Sequence, residues 1–373
     1  MFSFIYQRRF QRILLQCIFA ISVLWISYYF YRSMIEALAS RDILPSFYFL
    51  DLSAGFDIGE KLISFSRTDT YARAFLVGIL NTLCVSFFSI ILATILGFIL
   101  GVFRLSSHLL LRTVARVVIA LTRNIPLLVI LVFFKSALFN QFPRLSDAWS
   151  FSDLFYVSNR GISLPWFDLN GAYWLVLGIS FVLAFVSGRF APKHKLRIGI
   201  FIFLLCASLS LVFFPTFPIH FSSPQLTGFN LEGGLALSPE FLAVLSGLVL
   251  YHSAFIAEIV RSGIQSLPIG QKEAGLALGL STFKTLKFVI LPQAIQVIIP
   301  PMISLYLNIV KNSTLAAYVG YPDLFSVAGT VFNQTGRSVE VILILMGLYL
   351  FFSLVTSIIL NIYNRRIRKG IVK

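Results

Sequence analysis

The residues that could do chemistry in this chain are polar side chains stranded inside apolar runs. Asn81-Thr82, Arg123-Asn124, Lys135 and Lys311-Asn312-Ser313-Thr314 all sit in or beside such runs, and Glu258 and Arg261 lie three residues apart at the end of another. None is a nucleophile paired with a base. The four histidines (His108, His194, His220, His252) and three cysteines (Cys17, Cys84, Cys206) are scattered and match no metal-ligand spacing. No G-x-x-x-x-G-K-[ST] phosphate loop occurs. What remains is non-covalent work. A guanidinium or ammonium holds a carboxylate, and serine or asparagine oxygens accept from an amine. Each group also has a plainer role. Asn81 and Thr82 serve as interhelical glue, Arg123 as an interface anchor, and Lys135 as a snorkelling cation. Glu258 and Arg261 serve as a local i,i+3 ion pair or as a gate.

The elements that hold these groups follow from composition. Of 373 residues, 58% are hydrophobic and 12% charged, about half the charge of a soluble domain. Mean hydropathy is +0.87. The net charge of +15 comes from short basic clusters between apolar runs, which excludes a nucleic-acid face. The reading is an all-α polytopic membrane protein. Apolar runs predict about eight spans, at 13–31, 75–102, 124–141, 172–188, 198–214, 240–259, 289–310 and 340–362. The first run has no small-residue cleavage site after it, so it reads as a span rather than a cleaved signal.

Placing the N-terminus inside puts 20 of the 30 basic residues on the cytoplasmic side, and only Glu258 and Glu273 among the 15 acids. The basic tail Arg365-Arg366-Ile367-Arg368-Lys369 then also lies inside. Outside, residues 32–74 read as an amphipathic surface stretch. Residues 142–170, with Trp149 and Trp166, suit the aromatic belt, and residues 215–239, with four prolines, read as a loop.

The connection at 261–292 differs from the others. Glu273-Ala274-Gly275 opens a short helical pattern beginning near Pro268–Gln271, with Glu273 expected in its first turn. Leu276, Leu278 and Leu280 read as its apolar anchors. Gly279 can end this helix and Ser281 can cap the next, which leads into Val289-Ile-Leu291-Pro292. Such a small-surfaced helix is a plug for a partner's groove.

This stretch resembles the EAA loop of ABC importer permeases, with Gly275 for the second alanine and Val289 for isoleucine. Further stretches resemble the polar amino-acid permease branch (HisM/HisQ type). They are Gly78-Ile-Leu-Asn81-Thr82, Arg123-Asn124-Ile-Pro126, Ala257-Glu258-Ile-Val-Arg261-Ser-Gly263, Pro292-Gln293-Ala294 and Lys311-Asn312-Ser313-Thr314. Length and the insertion at about 142–239 are similar to the general L-amino-acid permeases (AapQ/BztB type). The resemblance implies a type I importer permease fold with a five-helix core. It divides the chain into an N-terminal span and periplasmic segment (1–74), a permease domain (75–363) and a basic cytoplasmic tail (364–373).

It also implies a multi-pass bacterial inner-membrane subunit forming half of an amino-acid translocation pathway. The partners would be a homologous second permease, two ATPase subunits carrying ATP and Mg, a periplasmic amino-acid-binding protein and the lipid bilayer. The chain itself would bind no cofactor and no nucleic acid. Glu273, Ala274, Gly275, Gly279, Leu291 and Pro292 would couple to the ATPase, with Gly275 and Gly279 allowing close approach. Asn81, Thr82, Arg123, Asn124, Lys311, Asn312, Ser313 and Thr314 are the candidates for the substrate pathway. The alternative, an ion-coupled secondary amino-acid transporter, predicts mid-span carboxylates and an inverted repeat.

Overall fold

A computed structural model describes residues 8–39, 46–152, 154–169, 219–228 and 230–370. The expected spans at 172–188 and 198–214 lie outside the described residues. Among these, five helices are long and apolar enough to cross a membrane: Leu14–Ser33, Tyr71–Arg104, Pro239–Gln265, Thr282–Val319 and Ser338–Ile358. They match five of the predicted runs.

The run at 124–141 is different. Chain 109–124 is already helical (α3, Leu109–Asn124), and α4 (Leu127–Phe133) leaves it at 106°. The bend falls at Ile125-Pro126, where the residue before proline is forced to extended backbone at ψ 131°. The polar first half, with three arginines, hid α3 from a hydropathy reading. Broken pair included, the described spans number up to six.

The centre of the bundle is the contact between α2 (Tyr71–Arg104) and α5 (Pro239–Gln265). Gly97 and Gly101, one turn apart on α2, make it possible. A Cβ on Gly97 would lie 2.6 Å from Ile256 Cβ, and one on Gly101 would lie 2.9 Å from the Ala257 carbonyl oxygen. Around this pair pack α3, α4 and the long helix that starts with α8 (Leu291–Asn312).

At the end of the bundle away from the 261–292 connection, residues 46–70 run mostly exposed along the surface, with a few apolar side chains turned inward. Phe49, Ala54, Ile58 and Phe65 are buried against Tyr71 and Phe75 of α2 and against Leu324, Val327 and Val331 of a short helix (Leu324–Thr335, α9).

The two ends of the insertion, read as aromatic belt and as loop, carry strands. Eight short strands form at 149–169 and 219–237. The first four (β1 to β4) lie in the first part of the insertion and the last four (β5 to β8) in its last part. A four-stranded antiparallel sheet runs β1-β2-β3-β8, and β4 pairs with β5. Ile162 faces Leu237 and Trp166 faces Ser222. The chain therefore leaves and returns through a paired ribbon, which ends at Ser238, the cap of α5. The described molecule is mostly helical, with this β ribbon added.

Candidate functional site: the connecting loop and the polar groups of the bundle

The loop folds as a small helical hairpin. Helix α6 (Ile269–Ala277) ends at Leu278, and Gly279 takes φ +76°. Leu280 N–H donates to the Gly275 carbonyl at 3.2 Å and Gly279 N–H to that of Leu276 at 2.9 Å, the paired bonds of a Schellman end. Ser281 Oγ then accepts from Lys284 N–H at 3.4 Å and starts α7 (Thr282–Thr285). A π-turn, Leu286–Ile290, leads into α8, with Pro292 in its first turn.

Gly275 has an internal reason for its size. A Cβ there would lie 2.6 Å from Thr285 Cγ2, so the glycine lets α6 seat on α7. Gly279 has open space around it; its need is the left-handed backbone. Each glycine thus has a need within the chain itself, apart from any contact with a partner. Gln293 Nε2 clips the hairpin by donating to Gln271 Oε1 and to the Val289 carbonyl, both at 3.0 Å.

Two expectations change. Glu273 is the fifth residue of α6, beyond the first turn, and is exposed with no partner among the described residues. Leu276 and Leu278 do not anchor the helix: they are exposed, Leu278 at 81%, together with Ile269, Phe283 and Phe288. Ala274 and Pro292 are also exposed, while Leu280 and Leu291 are half-buried. The hairpin is held by small and polar contacts and displays its apolar side chains outward.

Within the bundle, Asn81 and Thr82 are fully buried. Asn81 Nδ2 donates to the carbonyls of Glu60 (2.8 Å) and Pro322 (2.9 Å), and Thr82 Oγ1 accepts from Leu324 N–H at 2.9 Å. Their geometry is that of interhelical glue. Asn312 Nδ2 lies 3.2 Å from His252 Nε2, in the middle of α5. Ser313 is buried and Thr314 half-buried, their hydroxyls bonded to the preceding turn, while Lys311 is exposed.

Nearer the loop, Glu258 ties together three arginines. It is bonded by Arg104 and Arg261, and Arg123 Nη1 lies at 3.9 Å. Arg123 also stacks over Phe255 at 5.3 Å, while Asn124, the last residue of α3, is exposed. Lys135 does not snorkel freely but pairs with Glu240.

Sequence reasoning missed three features. Arg104 and Arg116 line a cleft of about 350 Å³ with Arg123, Asn124 and Phe255. His252 is a partner of Asn312 rather than an isolated histidine. Glu60, bonded by the Ser238 hydroxyl, is held above the ordinary carboxyl range by burial. The run of arginines at 104, 112, 116 and 123 was a usable signal for the cleft. The other two pairings join positions 60 and 238, and 252 and 312, with nothing local to connect them. Among the described residues, no cluster of three metal-type ligands occurs.

The described residues thus define a polytopic helical bundle with an outward-facing loop hairpin. Sequence comparison makes the class specific. Residues 90–369 match the family described as the binding-protein-dependent transport system inner membrane component. The chain is 42% identical over 366 residues to the putative amino-acid ABC transporter permease protein YhdX of Escherichia coli K12, covering 95% of this chain and 93% of that one. It is 39% identical to the general L-amino acid transport system permease protein AapQ of Rhizobium johnstonii, over 88% and 85% of the two chains. It is 38% identical to the glutamate/glutamine/aspartate/asparagine transport system permease protein BztB of Rhodobacter capsulatus, over 98% and 95%.

The chain belongs to the family of inner-membrane permease components of binding-protein-dependent ABC importers. Its described helices agree with a multi-pass inner-membrane subunit of such a transport system.

Proposed function

We propose that this chain forms half of the translocation pathway of an ATP-driven amino-acid importer and that its 261–292 loop receives the ATPase. The observation that carries the docking role is the exposed apolar set Ile269, Leu276, Leu278, Phe283 and Phe288 on a hairpin braced by Gly275 and Thr285. Exposed apolar side chains on a rigid loop mark a protein interface. The names of the full-length relatives support an amino-acid cargo.

In this reading a second, homologous permease completes the pathway. Two ATPase subunits hold ATP and Mg below, and a periplasmic binding protein delivers the substrate. Both termini and the loop face the cytoplasm. The loop transmits ATPase closure through α8, which continues from the hairpin without a break. Glu273, Ala274, Gly279, Leu291 and Pro292 shape that surface, while Asn312 and its neighbours Lys311 to Thr314 face the route. Residues 1–74, 75–363 and 364–373 are the N-terminal, permease and tail regions. No mid-span carboxylate pair among the described residues favours ion coupling.

The test is Leu278→Asp in the co-expressed transporter. Co-purified ATPase is expected to fall about a hundredfold, as for an interface hot spot, while the permease keeps its thermal midpoint. Full retention of the ATPase with normal uptake overturns the docking role.

A further inference from the structure

Beside the cleft at Arg123 lies a second one of about 430 Å³, lined by Arg104, Arg112, Arg116, Arg261 and Gln265. The two share Arg104 and Arg116 and so form one trough. Five guanidiniums face it, and among the described residues Glu258 alone answers them. Arg112 and Arg116 have no acidic partner among the described residues. The trough therefore carries an excess of about four positive charges at the loop end of the bundle.

The faces of α3 show where the trough points. At 100° per residue, Arg112, Arg116 and Arg123 fall within about 40° of one another. The exposed Leu110, Val114, Val117 and Leu121 form a stripe on roughly the opposite side, where hydrocarbon accepts them. Ala115, Ile119 and Thr122 pack inward. Arginines turned away from a lipid-facing stripe line a water-filled cavity rather than acyl chains. A sixth side chain, Phe255, supplies one apolar wall.

The trough lies on the loop side of the mid-bundle pair, about a third of a turn around α5 from it. Glu258 is six residues beyond His252 on α5, about 9 Å along the helix axis. Guanidinium forks bind carboxylates with two parallel bonds, and cations are repelled by the net charge.

We propose that this trough is a carboxylate subsite on the loop side of the route, selecting amino acids with an anionic side chain over cationic ones, with Arg112 and Arg116 as specificity-determining residues. The proposal rests on the translocation reading and names the substrate class it favours. Arg104, Arg123 and Arg261 are partly committed to Glu258; Arg112 and Arg116 are free to meet the ligand.

The experiment uses the assembled transporter in detergent, without binding protein, and measures direct binding of radiolabelled glutamate, glutamine and arginine. Glutamate and glutamine are nearly isosteric, so charge alone separates them. The unsubstituted complex is expected to bind glutamate most tightly and arginine least. R112Q/R116Q is expected to weaken glutamate about tenfold and to leave glutamine nearly unchanged, with R112K/R116K restoring most of the loss. Where the double variant does not assemble, R116Q is read alone, with about a threefold loss expected. Equal affinities in the unsubstituted complex overturn the proposal, as does a glutamate affinity indifferent to R112Q/R116Q or R116Q. ATP-driven uptake, assayed separately with binding protein, tests the importer reading on its own.

Discussion

The two ends of this bundle are built on opposite principles. At the loop end, the hairpin of α6 and α7 shows apolar side chains to the outside and is held by small contacts: Gly275 on Thr285, Gln293 on Gln271. At the other end, residues 46–70 and 320–340 bury both apolar and polar groups. Asn81, Thr82, Asp323 and Glu340 are all almost wholly enclosed there. Glu340 accepts from Ser46 N–H and from Arg337, tying the start of the last helix to the N-terminal segment. One end encloses its polar and apolar groups; the other leaves apolar side chains exposed, the surface proposed above to receive the ATPase.

The comparison breaks most sharply at Asn81. Asn81→Leu orphans two backbone carbonyls, those of Glu60 and Pro322, in a buried site. A loss of about 2–4 kcal/mol is expected, read as a drop in thermal midpoint, while ATPase retention in the surviving complex stays normal. If retention falls and stability does not, the two ends are not independent. Gly275→Val acts at the open end. It drives a side chain into Thr285, with an expected local cost of about 1–3 kcal/mol. Proteolysis of the 266–290 segment should speed up, with the midpoint of the bundle scarcely moved.

A pH series separates the ends by chemistry. Asp323 is pushed up to about 7 by burial, against the bonds it accepts as the cap of α9. An acid whose folded pKa is raised holds its proton in the folded state after the unfolded chain has lost it. Its contribution to stability is full below the unfolded value near 4 and is lost as pH rises toward 7. Thermal midpoints of the unsubstituted chain should therefore fall across that window. Asp323→Asn keeps a capping oxygen and should flatten the fall; an unchanged slope assigns the titration elsewhere. The smallest effect belongs to Gly279→Ala, which has room for its methyl but not the preferred backbone. About 1 kcal/mol of local strain is expected, seen as a modest loss of bound ATPase.

Much of the loop was legible in the sequence because its signals are local. Pro268, Gly279 and Ser281 mark helix ends through their own backbone preferences, and the structure places those ends as expected. The direction of Leu276 and Leu278 was not legible: an apolar residue on a short helix reads the same whether it packs inward or waits for a partner. Which apolar residues of 46–70 turn inward was hidden in the same way, since Phe49 and Phe65 are spaced too irregularly to reveal a buried face.

By itself the sequence determined the membrane class, the spans at both ends of the chain, the loop and its caps, and the family. All of these rest on composition, run length or motifs within a few residues. Only the tertiary structure decided the break between α3 and α4 and the ribbon pairing residues 162 and 237. It alone set Asn81 against the turn at Pro322 and gathered arginines from three helices around Glu258. Those features join positions far apart in the chain. A guanidinium or an asparagine carries no mark of its partner until the helices pack and a low-dielectric interior makes an unpaired polar group costly.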